Sequence, residues 1–412
     1  MIQYILWIIS FVFLWLSLVW VNYLHVSEPG RRKARFVPVT IGIPAFNEEN
    51  TIAKTLHSLR ALAYTQGRIR VVVVDDGSTD KTAEICSRYI AEHRMQNVVL
   101  VRQKNQGKAA AINTALARAE TEYFAVLDAD TRVTPNALAE LVSVMQSSRS
   151  AAAISVVKVD HPESVYERVQ HVEYMLSNLF RRLMGVADTL FLTHGGFCLF
   201  NTSVLKGIQG FSEDNGHTED LEVAMRLRAH GHRVIMVHNA ITYTTVPNSF
   251  ATLWRQRVRW YRGFLYNHVK FKNLLLNRKY GSFGLFQLPV NLLSVVLLLA
   301  TIILVTYGTI SDAAEFVYRS VVIDGYFVNH VLDFPSLKEL VLAQNVQITL
   351  PIVMSTLVGL YVLVLAFRQF EERLRPSIFF IWLYFMVFPY LTSLHWIHAL
   401  VQETFHMKRR WR

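Results

Sequence analysis

Cysteine is almost absent from this 412-residue chain, with only Cys86 and Cys198 present, and no Cys/His spacing matches a zinc site. A disulfide-built scaffold and a structural zinc centre are therefore excluded. Charge is also scarce: 18% of residues are charged against 52% hydrophobic, which argues against disorder and against one ordinary soluble domain. Acidic residues are the minority, 31 against 42 Lys and Arg, for a formal charge of +11. Anionic lipid or an anionic substrate would answer that surplus, and nucleic acid is not an expected partner. No Gly-x-Gly-x-x-Gly follows the first predicted strand, and no Gly-Lys-Ser/Thr loop occurs. A dinucleotide cofactor and a P-loop are thereby disfavoured.

What is there is unevenly spread. Met1 to Val26 lacks any Asp, Glu, Lys or Arg and ends in Arg31, Arg32, Lys33 and Arg35. That run is long enough to cross the hydrocarbon. It lacks the basic start and small-residue cleavage site of a signal peptide, so residues 1–30 read as a membrane anchor with its N-terminus outward. Three further apolar runs, Phe283–Tyr307, Val346–Phe367 and Ser377–Val401, make 283–402 a C-terminal membrane region. The acidic stretch 308–345 suits an outside loop and the basic link Arg368–Arg375 the inside. Counting crossings puts the tail 403–412, with Lys408 to Arg412, outside, where its charge does not belong. Pro389 lies within the last run, leaving a crossing, kinked or re-entrant segment open.

From about Val37 to Val246 the pattern changes. Val39–Pro44, Arg70–Val74, Val98–Val101 and Phe124–Leu127 are short apolar runs of the buried-strand kind, alternating with helical stretches 49–62, 81–92 and 108–119. The expectation is an α/β fold, a mostly parallel sheet flanked by helices and inserted between transmembrane α-helices. Ligands bind beyond the carboxyl ends of such strands. Polar clusters fall there: Pro44, Asn47 and Glu48 after the first, Asp75-Asp76-Gly77-Ser78 after the second, Asp128-Ala129-Asp130 after the fourth.

Each cluster has a bland reading beside a chemical one. Asp128 and Asp130 point opposite ways in extended chain; a turn at Ala129 would unite them as ligands for Mg²⁺ or Mn²⁺, whereas the bland reading has Asp130-Thr131 only capping the helix near Pro135. Asp75 and Asp76 either form an Asp-Gly turn or accept bonds from a ribose or base. Lys108 opens a helix where a phosphate would sit. His217-Thr218-Glu219-Asp220 precedes a helical run; Thr218 as an N-cap leaves His217 and Asp220 unexplained, and Asp220 suits a general base. Trp254 to Gly263 holds four arginines and three aromatics, fitting a membrane-surface helix or a site for diphosphate and saccharide.

Asp75-Asp76, Asp128-x-Asp130, Thr218-Glu219-Asp220 and Gln256-x-x-Arg259-Trp260, in this order and bracketed by apolar helices, resemble the processive membrane glycosyltransferases of family 2. These include poly-N-acetylglucosamine, cellulose, chitin and hyaluronan synthases. The Thr-Glu-Asp start looks nearest the poly-N-acetylglucosamine type. The resemblance implies a GT-A-like cytoplasmic domain over 37–263, an interfacial region over 264–282, and an inverting β-polysaccharide synthase using a UDP-sugar, foremost UDP-N-acetylglucosamine. It implies donor contacts from Pro44, Asn47, Glu48, Asp75, Asp76, Lys108 and Asp128, the metal on Asp130 and the base at Asp220. Acceptor and diphosphate contacts would come from Glu219, Gln256, Arg259, Trp260, Gly195, Gly196 and Phe197, with His194 this chain's own variation in that loop. The implied partners are the growing polysaccharide, the lipid bilayer and a small accessory membrane subunit. A rival reading shares the aspartates: transfer of a single sugar to a lipid or polyprenyl phosphate.

Overall fold

A computed structural model describes residues 2–26, 35–64, 68–214, 218–332, 346–374 and 378–407. His217, Arg31 to Lys33 and Lys408 to Arg412 lie outside the described residues. The four apolar runs form strands where expected: β1 (Val39–Ala45), β2 (Ile69–Asp75), β3 (Val98–Arg102) and β4 (Tyr123–Val126). They alternate with α2 (Ile52–Arg60), α3 (Thr82–Glu92) and α4 (Lys108–Ala117). β1 pairs in parallel with both β2 and β4, and β2 with β3, so their carboxyl ends share one edge.

The sheet then continues through strands that the sequence pattern did not single out. β5 (Thr131–Val133), α5 (Ala137–Ser148), β6 (Ala152–Val159), α6 (Val165–Val186), β7 (Cys198–Asn201), α7 (Thr202–Gly207), α8 (Glu219–Ala229) and β8 (Val234–Thr244) complete it. The strand order is β3-β2-β1-β4-β7-β6-β8-β5. β7 runs antiparallel to both β4 and β6, which brings the loop before it, with His194 to Phe197, to the same edge as Asp128. Apolar side chains fill both faces of the sheet, as a continuous strand pattern requires.

Helix α6 is fixed to the sheet by more than packing. Ser164 and Glu167 form a reciprocal capping box at its start. Further along, Asn178 donates to the Val157 carbonyl at 2.7 Å and accepts from Val157 N at 3.3 Å. Asn178 is wholly buried, so these bonds set the rotation of α6 over the sheet edge. Helix α9 (Phe250–Lys270) follows β8 and crosses the same region.

Around this layer stand α1 (Ile2–Asn22), α10 (Leu288–Val322), α11 (Tyr326–Leu332), α12 (Val346–Gln369) and α13 (Ile378–Thr404). Among the described residues four helical segments are long and apolar enough to cross a membrane, Tyr4–Asn22, Phe283–Val322, Thr349–Gln369 and Ile378–Thr404. Helix α10 continues to Val322, so the first part of the acidic stretch 308–345 is helix and not loop. Its i,i+4 pair Glu315–Arg319 shows why the helix persists past the apolar run. The layers are joined by buried polar bonds. Lys158 on β6 donates to the Phe370 carbonyl (2.6 Å) and to Glu372 (2.9 Å). Arg262 on α9 reaches Glu403 (2.5 Å), Gln402 (3.0 Å) and the Met407 carbonyl (2.7 Å).

Candidate active site

The turns after β1 and β2 lock each other. Asn47, at φ 57°, donates its N–H to Ser78 Oγ (3.0 Å), while its side chain accepts from Thr79 N (2.9 Å). Glu48 N donates to Thr82 Oγ1 at 2.7 Å. Asp75 accepts from Ser78 N at 3.1 Å, the bond of a tight turn. Asp76 has another task. One oxygen accepts from Gln103 Nε2 (2.8 Å) and Gln106 N (3.0 Å), the other from Gly107 N (2.8 Å). A nearly buried carboxylate so engaged holds the loop that launches α4. Asp76 thus fixes the backbone immediately before Lys108, a contact the motif alone did not reveal.

Lys108 is the hub. Its ammonium lies 2.7 Å from Asp128 and 2.9 Å from Glu219. Burial works against the charge, but Asp128, Glu219 and Asp220 together push Lys108 above its ordinary value. Glu219 responds in kind: burial favours its neutral form, yet Lys108 and then Arg259 hold it below the usual carboxylate range. Three carboxylates from two distant segments thus converge on one cation that opens a helix.

The turn at Ala129 exists, closed by Thr131 N donating to the Asp128 carbonyl at 3.1 Å. Asp130 does not cap α5, whose N-cap is Asn136. It accepts instead from Thr131 Oγ1 at 3.1 Å and Thr244 Oγ1 at 3.5 Å. Burial, then the nearby charges of Asp128 and Glu48, pushes its carboxyl up to about 7. Lys108 neutralises Asp128 directly, leaving the Asp130 side short of positive charge. Among the described residues no group of three or more His, Cys, Asp or Glu could hold a metal alone. Two hard carboxylates with open places fit Mg²⁺ or Mn²⁺ sharing its shell with water and diphosphate.

The loop before β7 divides differently from expectation. Gly195 lies against Asp128: its carbonyl accepts from Asp128 N at 2.8 Å, and an added Cβ would overlap the Asp128 carboxylate. Gly195→Ala should therefore displace Asp128 and lower turnover about 100-fold, the usual cost of a misplacement near 1 Å. Unchanged turnover would contradict this assignment. At Gly196 an added Cβ would come within 2.9 Å of Val157. Phe197 corrects the expectation outright. It is 0% exposed within the sheet core and cannot line an acceptor pocket, because side chains alternate along the strand it begins. His194 donates Nε2–H to the Ser155 carbonyl (2.8 Å), and its Nδ1 is buried without a partner. Burial, helped by Arg181, pulls its pKa down to about 3, so the ring is neutral.

Asp220 accepts from Leu221 N at 2.8 Å, and its backbone carbonyl accepts from Thr193 Oγ1 at 2.7 Å. Burial, then Glu219, pushes the carboxyl up to about 6, against Lys108, the Leu221 amide and Arg259. Thr218 uses its hydroxyl on Asn267 (3.1 Å) of α9, and Gly263 leaves no room for a Cβ beside it. Through these contacts α9 is held against the segment that carries Glu219 and Asp220. The four arginines of α9 then separate. Arg257 forms a two-pronged pair with Glu173 (3.0 and 2.7 Å) and lies 4.4 Å over the Trp260 ring. Arg262 anchors α13, and Arg255 is exposed. Arg259 remains within electrostatic reach of Glu219 and Asp220. Gln256 Oε1 is buried without a hydrogen-bond partner.

Helix α6 supplies side chains that no motif marked. Tyr174 and Arg181 share the face of Asn178, at the i, i+4, i+7 spacing of one helix stripe. Tyr174 lies within electrostatic reach of Asp130 and Arg181 of Asp220, so this stripe roofs both carboxylates. Arg181 Nε is buried without a partner, and burial pulls the guanidinium below its usual value. No sequence motif marks them, since polar residues recur on several faces of α6.

Residues 40–208 match the family described as Glycosyl transferase family 2. Over that segment the chain is similar to the family 2 glycosyltransferases. A poly-β-1,6-N-acetyl-D-glucosamine synthase of Staphylococcus epidermidis is 30% identical over 223 residues, 54% of this chain and 53% of that one. Its counterpart in Staphylococcus aureus strain MSSA476 is 28% identical over 261 residues, 63% and 62% of the two chains. The matches thus span half to three-fifths of the relatives' length. The fold of the glycosyltransferase is that of a Pyrobaculum calidifontis mannosyltransferase solved with GDP-Man and Mn²⁺. That structure has a TM-score of 0.66 at 19% identity and covers 99% of this chain and 100% of that one.

Proposed function

We propose that this glycosyltransferase polymerises a β-linked polysaccharide from a UDP-sugar, with UDP-N-acetylglucosamine as its donor, and passes the product through its membrane helices. The observation that carries the reading is the convergence on Lys108 of Asp128, Glu219 and Asp220, with Arg259 of α9 within electrostatic reach. A one-sided cluster of this kind matches an inverting displacement, which needs a base and a charged leaving-group pocket but no nucleophile.

In this mechanism Asp75 and the turn after β1 receive the nucleoside. Asp130 and Asp128 would hold Mg²⁺ or Mn²⁺, which would supply positive charge to the diphosphate. Lys108 and Arg259 meet the charge that develops as the diphosphate leaves. Asp220 removes the proton from the acceptor hydroxyl as its oxygen attacks the anomeric carbon from the opposite face. Trp260, with Arg257 fixed behind it, offers a flat apolar surface to the terminal sugar. Arg181, a donor beside the base with no internal partner at Nε, suits a hydroxyl of that sugar. The catalytic layer sits on the cytoplasmic side in this reading, since the donor is made there.

A donor screen with UDP-N-acetylglucosamine, UDP-glucose and UDP-glucuronate, scored by UDP release, tests it. Release from the first and its loss in Asp220→Asn is the expected result; release from none of the three contradicts the reading. Arg181→Gln should lower transfer at least about tenfold without lowering the thermal midpoint, because its buried Nε has no hydrogen bond to lose. A drop in thermal midpoint with transfer intact would show a structural role instead.

A further inference from the structure

We propose that α13 does not cross the bilayer but lies along the membrane surface on the catalytic side, one face in lipid and the other on the catalytic layer. The inference deepens the membrane reading above and rests on it. By length and apolarity α13 qualifies as a span, although it is the least apolar of the four. Its contacts point elsewhere.

The chain enters α13 from Phe370 and Glu372, which are bonded to Lys158 of the sheet. Arg168 of α6 lies 5.3 Å over the Phe380 ring in the first turn. Midway, Phe388 packs with Val169 of α6 and Leu253 of α9. Beyond Pro389, Trp254 of α9 donates to His398 at 2.9 Å, and Tyr261 stacks on Trp396 at 4.3 Å. The last turn is held by Arg262 through Gln402, Glu403 and the Met407 carbonyl. Every stage of the helix thus touches α6 or α9. Those two helices carry Glu167, Glu173, Arg181, Arg257 and Arg259 and are bonded to the catalytic site, so they belong to the water side.

Distance decides between the two placements. A helix along the membrane normal climbs about 1.5 Å per residue, so Phe380 and Glu403 would differ in depth by about 35 Å. That exceeds the roughly 30 Å hydrocarbon, yet both ends hold the same soluble layer. The opposite face explains the apolarity. Phe379, Trp382, Met386, Tyr390, Leu394, Ile397 and Val401 are all exposed and recur at three- and four-residue steps. Between them Ile381, Phe388, Trp396 and Ala399 are buried. The exposed apolar residues lie away from the contacts with α6 and α9, so lipid would cover that face while the catalytic layer covers the other. Its occupant is the inner leaflet, because the stripe continues from the exposed apolar surfaces of α10 and α12. Met407 then ends on the catalytic side, which removes the conflict over the basic tail.

Impermeant-maleimide labelling of single-cysteine variants of the full chain, in intact and opened cells, tests this; Cys86 and Cys198 are buried. Glu120→Cys marks the catalytic side and Asp324→Cys, beyond α10, the far side. Met407→Cys labelled only together with Glu120→Cys supports the proposal. Met407→Cys labelled together with Asp324→Cys overturns it while leaving the multi-pass reading intact. Asp324→Cys labelled only with Glu120→Cys overturns the multi-pass reading and this inference with it. Spin labels at Trp382, Met386, Leu394 and Val401 give a second readout. Equal depth in lipid is expected; a progressive change of about 1.5 Å per residue overturns the in-plane placement even if a variant misfolds in the labelling experiment.

Discussion

Asp220→Asn should lower the transfer rate by about 10²- to 10⁴-fold, the usual contribution of a positioned base, while leaving UDP affinity within about a factor of two. The reason is placement. Asp220 lies on the Glu219–Lys108 side of the site, and its backbone is held by Thr193, so Asn should keep the shape and lose only the proton acceptor. The pH profile carries a second signature. Burial and Glu219 push Asp220 up to about 6, and the ionised form is the active one. Turnover should therefore rise tenfold per pH unit below about 6 and level off above it. The Asn variant should lack that limb. A wild-type rate that is flat between pH 5 and 7 would remove Asp220 as the base.

The largest effect on stability is expected at Arg257. Its side chain is 3% exposed, forks onto Glu173, reaches Gln170 at 3.4 Å and covers the Trp260 ring. Arg257→Ala leaves Glu173 buried without its partner, which typically costs about 3–5 kcal/mol. Glu173→Gln should move in the same direction by less, since the amide still accepts from Arg257. The double replacement Arg257→Met with Glu173→Leu should recover most of the lost stability, because well-packed apolar pairs substitute for buried ion pairs without penalty. It should not recover transfer, since Trp260 loses its support beside the acceptor. Thermal unfolding in detergent, run alongside UDP release, separates the two. A single variant as stable as wild type would show that the pair is not the anchor of α9.

The same pair shows what the sequence could and could not convey. β1 to β4 were legible because a strand buried on both faces is an unbroken apolar run, and the polar clusters after them fall along one sheet edge. The linear motif also placed Asp128, Asp130, Glu219 and Asp220 in one site. It could not divide labour within a motif. Asp75 and Asp76 are adjacent, yet only the loop 103–107, folding back over the sheet edge, decides that Asp76 holds backbone. Phe197 shares a loop with Gly195 but turns inward, because strand alternation begins there. Glu173, Tyr174 and Arg181 were invisible because they meet α9 and α8 only through tertiary packing. The last apolar run was ambiguous for a similar reason: hydropathy reports that one face meets lipid, and only Arg262 and Lys158 show what holds the other.

The central claim is that these carboxylates serve repeated transfer onto one growing chain beneath the membrane helices. The most direct measurement gives membranes containing the protein radiolabelled UDP-N-acetylglucosamine and sizes the product. A high-mass, glycosidase-sensitive polymer that is lost in Asp220→Asn is the predicted result. A lipid-extractable monoglycoside as the sole product would contradict it.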